Sequence, residues 1–192
     1  MILGVVGLVD IRELNNCDEK RALQLLEPVI ERAPAVVMQV LRHRPFADLA
    51  DLILRISEEL YALSDSQRMD LFQAHPELAT DQPQSMTIAS QKEQGQFGLT
   101  SSDNAHRTRL EKLNRAYREK FGFPFIVALS SHTSMDSVFA EFDIRLSADK
   151  TSEINRALEQ ICSVSAERVR RTFGGPDANN SAPADAQSEA VQ

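Results

Sequence analysis

Apolar residues recur at intervals of three and four along most of the first 173 residues, and glycine and proline are scarce there. A chain patterned in this way buries one stripe of each helix and has little means of building a sheet. The clearest case is "ADLADLILRISEELYAL", with apolar side chains at i, i+3, i+4 and i+7. "DEKRALQLLEPVIERAP" reads as a helix broken or kinked around Pro28, and "PAVVMQVLRHRP" as a short helix with a proline at each end. "SDSQRMDLFQAH" opens on a Ser64-x-x-Gln67 capping box and stops before Pro76. Beyond the polar connector "PELATDQPQSMTIAS", helices are expected from about Ser90, from about Asp103 to Gly122, from about Ser134 to Leu146, and from Ser152 to Phe173. Gly174-Gly175 is the stop signal. "FPFIVAL" is wholly apolar and fits either a buried strand or an extended crossing segment. The expectation is an all-α protein: a single compact multi-helix domain of about eight helices over residues 1–175, then a disordered tail over 176–192, where periodicity is lost.

With 42% hydrophobic residues in 192, the chain can bury a substantial core. A net charge of −7 argues against nucleic acid or an anionic membrane as the main partner. The basic stretches "NRAYREK" and "ERVRR" carry or adjoin acidic residues and read as solvated helix faces. Cys17 and Cys162 have no metal or redox spacing, which fits a reducing, cytoplasmic compartment. "MILGVVGLVD" lacks a basic start, and Asp10 ends it well short of a membrane span, so a soluble protein is expected. No phosphate-binding glycine loop, nucleophile elbow or helical pair of metal-binding histidines is present, and no metal is expected.

Three places suggest chemistry. His75 stands before Pro76 at a helix end. The macrodipole alone favours a histidine there, while the proline restricts the backbone of His75, as holding a general acid still would require. "SQKEQ" (90–94) has capping-box spacing from Ser90 to Glu93; the same helix N-terminus could offer free N–H groups to an anion. In the last helix, Arg168 lies +14 from Ile154, at about −40° on the helical wheel, inside the stripe of Ile154, Leu158, Ile161 and Val164. A guanidinium there either snorkels at the rim or needs a carboxylate, from the protein or from a ligand. Of the other histidines, His43 reads as surface, His106 as packed and His132 as the start of a polar turn.

"RPFADLADL" (44–52), "HPELA" (75–79), "SQKEQ", "LNRAYREKFGFPFIVAL" (113–129) and the spacing from Glu153 to Arg168 occur in one order. Together they resemble the 2-oxo-4-hydroxy-4-carboxy-5-ureidoimidazoline (OHCU) decarboxylases, carboxy-lyases of purine catabolism that carry out the third step of urate degradation to (S)-allantoin. The resemblance covers roughly residues 10 to 172. It implies an all-helical, cofactor-free and usually dimeric enzyme acting on a small ureidoimidazoline. The family's acid histidine falls on His75 and its substrate-loop proline on Pro76. Its substrate segment falls on Ser90, Gln91, Lys92, Glu93 and Gln94, with Glu93 as the working carboxylate. The substrate-lining run falls on Phe125, Ile126, Val127, Ala128 and Leu129, and the catalytic arginine on Arg168. On this footing His75 is a proton donor and Arg168 faces the ring oxygen where charge develops. "HPELATDQ" departs from the family's Gly-Arg after "HPDLA". That departure is the sole support for an alternative, a non-catalytic or re-specialised relative binding another small anionic heterocycle.

Overall fold

The computed structural model describes residues 9–101 and 106–174. Among these, nine α-helices and two 3₁₀ turns account for the regular structure, and no strand occurs. The helices are α1 (Ile11–Asn16), α2 (Glu19–Leu26), α3 (Pro34–Leu41), α4 (Leu49–Tyr61), α5 (Asp65–Ala74), α6 (Ile88–Gln96), α7 (Arg107–Phe121), α8 (Met135–Leu146) and α9 (Lys150–Phe173). The 3₁₀ turns lie at Pro83–Ser85 and Leu129–Ser131. The count exceeds the expected eight because α1 is a helix of its own. The expected start near Asp103 and the tail 176–192 lie outside the described residues.

Local chemistry explains most boundaries. Asp10, Asp18, Asp48, Ser64, Ser134 and Asp149 each accept a hydrogen bond from a first-turn N–H, satisfying donors that helix geometry leaves unpaired. The Ser64/Gln67 box is closed in both directions. α2 ends at Leu26, with Glu27 as its cap, just before Pro28, and α7 ends on Gly122 at φ 86°, a left-handed position that glycine occupies without strain. α4 packs along α9, with α3 against α4. Leu52, Ile56 and Leu60 of α4 and Ala157, Leu158 and Ile161 of α9 are buried in one continuous apolar cluster.

"FPFIVAL" forms no strand and its last residue opens the second 3₁₀ turn, so side chains must satisfy its backbone. The Ile126 carbonyl accepts from Arg145 Nη1 at 2.8 Å, and the Ala128 N–H donates to Gln160 Oε1 at 2.8 Å. Arg145 also lies over the Phe125 ring, 4.4 Å from its centroid, and Phe125 stacks on Phe142 at 3.7 Å. Its charge is met by Glu153 at 2.6 Å, and the Tyr117 hydroxyl donates to the same carboxylate. Burial pushes the Tyr117 hydroxyl well above its usual range, with adjacent Glu153 adding to the effect, so it remains a donor. With Arg145 3% and Glu153 1% exposed, Arg145→Met strands a buried anion. The expected loss is about 3–5 kcal/mol, read from urea unfolding, while Arg145→Met with Glu153→Met together should recover much of it.

Candidate active site

The α5 terminus fixes His75. Its N–H donates to the Phe72 carbonyl at 3.1 Å and its Nδ1 lies 2.8 Å from the Leu71 carbonyl. A carbonyl only accepts, so Nδ1 carries the proton and Nε2 is the nitrogen left for the cavity that His75 lines. The connector behind it is held by α6 and α7. Gln94 accepts from the Ala79 N–H at 2.9 Å and donates to the Glu77 carbonyl at 3.0 Å, while Asn114 donates to the Leu78 carbonyl. Ala79 sits at φ 54°, a left-handed conformation costly for a residue with a Cβ and sustained here by these bonds.

The cap of α6 lies three residues before the expected position. Thr87, not Ser90, is the N-cap, and the Ser90 N–H donates to Thr87 Oγ1. The Ser90–Glu93 spacing is therefore one turn inside the helix, and both side chains face a carboxylate–guanidinium cluster rather than closing a capping box. The Ser90 hydroxyl donates to Glu31 at 2.5 Å, and Thr87 Oγ1 donates to the other Glu31 oxygen at 2.7 Å. From α9, Arg168 grips Glu93 with two bonds, Nε at 2.9 Å and Nη2 at 2.7 Å. Its Nη2 also reaches Glu31 at 3.2 Å. The helical-wheel placement of Arg168 holds: it is 3% exposed, not at the rim, and its acceptors lie within the protein, the Glu93 and Glu31 carboxylates with the Ser90 hydroxyl and the Pro28 carbonyl. The solvated-face reading of "ERVRR" applies to Arg170 and Arg171 and fails for Arg168. Arg171 meets the outer side of Glu93 at 3.2 Å.

These groups surround a cavity of about 60 Å³. The polar side comprises Glu31, His75, Ser90, Glu93, Gln94, Ser165 and Arg168, and the apolar side includes Leu78, Phe125, Ile126, Val127, Leu129 and Ile161. Pro76 is also at the wall. Of the residues expected at the site, Gln91, Lys92 and Ala128 do not line it. Gln91 donates to the Met86 carbonyl, Lys92 borders a neighbouring cavity beyond Glu93, and Ala128 spends its N–H on Gln160. Glu31, 4% exposed, is the principal residue that sequence reasoning missed. It sits in the turn after α2, where helical periodicity no longer says which way a side chain points.

The electrostatics assign protonation states. Burial alone would raise the Glu31 carboxyl, but hydrogen bonds from Ser90 and Thr87 and the Arg168 charge outweigh it, and the group is held below its ordinary range. Burial likewise depresses Arg168, yet Glu93 and Glu31 more than compensate and keep it charged. His75 is depressed, chiefly by desolvation, with Arg168 and Arg32 adding to it and Glu31 and the Leu71 bond opposing. The imidazole is thus neutral near pH 7, with its proton on Nδ1 and a lone pair at Nε2. The unprotonated form should persist on acidification past the ordinary histidine value of about 6.5. Stability has the same sign. The unfolded chain takes up the His75 proton first, so stability present above about pH 6.5 declines below it, and the Glu31 contribution, present above about pH 4.5, is lost as the pH falls through its depressed folded value. Urea midpoints across pH 4–8 should therefore fall on the acid side, and less so in His75→Gln.

A neutral imidazole, a buried cation and two carboxylates thus meet around one half-apolar pocket of an all-helical protein. Comparison with known proteins is specific. Residues 15–170 match the family described as OHCU decarboxylase, and the chain belongs to that family. It is 34% identical over 170 residues to the mouse 2-oxo-4-hydroxy-4-carboxy-5-ureidoimidazoline decarboxylase, covering 86% of this chain and 94% of the mouse protein. A human protein named as a putative member of the same enzyme is 32% identical over 163 residues, with coverage of 84% and 94%. The fold is also that of a crystal structure of (S)-allantoin synthase, with TM-score 0.65 and 23% identity over 86% of this chain and 54% of that longer one. A crystal structure of OHCU decarboxylase in the presence of (S)-allantoin gives TM-score 0.63 and 19% identity, covering 78% and 97%. No helix among the described residues is long and apolar enough to cross a membrane.

Proposed function

We propose that the protein decarboxylates 2-oxo-4-hydroxy-4-carboxy-5-ureidoimidazoline to (S)-allantoin, using His75 as proton carrier and Arg168 as the charge-stabilising group. The observation that carries this reading is the convergence on one cavity of a histidine with its free nitrogen defined, and an arginine held flat by two carboxylates. The substrate's C4 bears both hydroxyl and carboxylate. Because C2 is an oxo carbon and C4 is tetrahedral, the ring C=N lies between C5 and its ring nitrogen. As CO₂ leaves, the C4–carboxylate pair forms C4=C5, and the C=N pair moves to the nitrogen conjugated with the C2 oxygen. That nitrogen takes one proton from outside. His75 Nε2 then accepts the hydroxyl proton as C4=O forms, and the same proton is returned to C5 on one face. One carboxylate and one proton yield CO₂ and neutral allantoin.

Arg168 serves best at the C2 oxygen, where charge develops, since clamping the departing carboxylate would stabilise ground and transition states alike. Glu93 and Glu31 hold its plane, and two anions against one buried cation disfavour a bound carboxylate relative to neutral CO₂. Phe125 to Val127 and Leu129 keep the cavity dry. A homodimer in the cytoplasm, with residues 1–175 as the catalytic unit, belongs to the same reading and is tested by light scattering. The activity itself is tested by following the ultraviolet loss of freshly generated substrate: decay faster than the protein-free control supports the proposal. Thermal stabilisation by allantoin without turnover would replace it with a binding role.

A further inference from the structure

Arg32 lies outside the cavity, beside Glu31, with its side chain exposed and its backbone at φ 55°. That left-handed conformation is unfavourable for an arginine, and it divides two neighbours: Glu31 turns inward to Ser90, Thr87 and Arg168, and Arg32 turns outward. The guanidinium then bridges two distant carbonyls, Nη1 to Ala74 at 2.9 Å and Nη2 to Ser85 at 2.7 Å. Ala74 shares its peptide group with His75, whose N–H is bonded to Phe72. Both polar atoms of the peptide that carries the imidazole are therefore fixed, one by α5 and one by Arg32. The other end of the bridge, Ser85, lies two residues before the Thr87 cap of the helix carrying Ser90 and Glu93.

We propose that Arg32 is a positioning residue that clamps the His75 end of α5 to the start of α6, setting the imidazole against the Glu31–Glu93–Arg168 cluster. A planar fork suits this task, since two carbonyls must be met at once. The charge also bears on His75. Facing the imidazole are Glu31 from the α2–α3 turn, Arg168 from α9 and Arg32 itself, with Glu93 of α6 on the same cavity. Arg32 is one of the two cations that favour the neutral ring.

The inference rests on the decarboxylase reading for its kinetic consequences, but not for its structural ones. The test uses the full chain with Arg32→Gly and Arg32→Lys. Glycine accepts the left-handed backbone, so its variant removes the clamp without adding strain; lysine keeps the charge and loses the fork. In ¹⁵N-resolved NMR of the imidazole, Arg32→Gly should titrate at higher pH than wild type and lose the pure Nδ1–H tautomer, whereas Arg32→Lys should titrate close to wild type. In turnover, Arg32→Gly should lose about ten- to a hundredfold in kcat with KM changed far less, as expected for a displaced acid–base group, and its product should have lower enantiomeric excess. Arg32→Gly with wild-type imidazole titration, tautomer and enantiomeric excess would overturn the proposal. If wild type shows no turnover, the decarboxylase reading fails and the NMR titration alone decides the clamp.

Discussion

Arg168→Ala should lose turnover by about 10²–10³-fold or more and destabilise the protein by about 3–5 kcal/mol. The two effects have separate origins. On the proposed mechanism, the kinetic loss follows from removing the guanidinium that stabilises the developing charge. The stability loss follows because Glu31 and Glu93 then face each other across a cavity wall with their common cation gone, and Glu31 is 4% exposed. Arg168→Lys separates them. A lysine preserves the charge but cannot make the paired Nε and Nη2 bonds to Glu93 while also reaching Glu31. Its stability should lie nearer wild type, yet kcat should fall more than KM rises. Equal kcat in Arg168→Lys would remove Arg168 from the chemistry and leave it a structural ion-pair partner.

His75→Asn should reduce kcat by about 10²–10⁴-fold, the range typical of a well-placed proton-transfer group. The fold should survive, because α5 is anchored by Leu71 and Phe72, both buried, and by its complete N-terminal capping box. Asparagine lacks a group that can accept the hydroxyl proton and return it to one face of C5. What product forms should therefore approach a racemate. A variant that stays fully stereoselective would place the proton carrier elsewhere in the cavity, with Glu31 and Glu93 as the remaining titratable groups.

What the sequence discloses about this site follows the range of each interaction. The Ser64/Gln67 box and the stripe of α4 are local, and short spacing rules describe them fully. Arg168 was legible because a 24-residue helix keeps its phase, so angular arithmetic from Ile154 still holds near its end. Its partners were not legible: Glu31 lies 137 residues away and Glu93 lies 75 away. The start of α6 was misplaced for a different reason. Thr87 and Ser90 can each cap a helix, and the Glu93 three residues after Ser90 favours Ser90 on spacing alone; in the fold Thr87 takes the cap while the Ser90 hydroxyl is drawn into a long-range bond to Glu31. "FPFIVAL" was ambiguous because nothing within it reveals that Arg145 and Gln160 would stand in for a neighbouring strand. His75 is legible as a candidate, but its neutral, Nδ1-protonated state depends on the Leu71 carbonyl and on burial that only the packed fold provides.

The most direct test of the central claim is circular dichroism of the reaction itself. The unstable ureidoimidazoline is generated in solution from urate with urate oxidase and hydroxyisourate hydrolase, then followed with and without this protein. Rapid growth of the (S)-allantoin signal, abolished in His75→Ala, is the predicted result. A slow decay to optically inactive product, indistinguishable from the protein-free control, would contradict the account and mean that this cavity does not catalyse the decarboxylation.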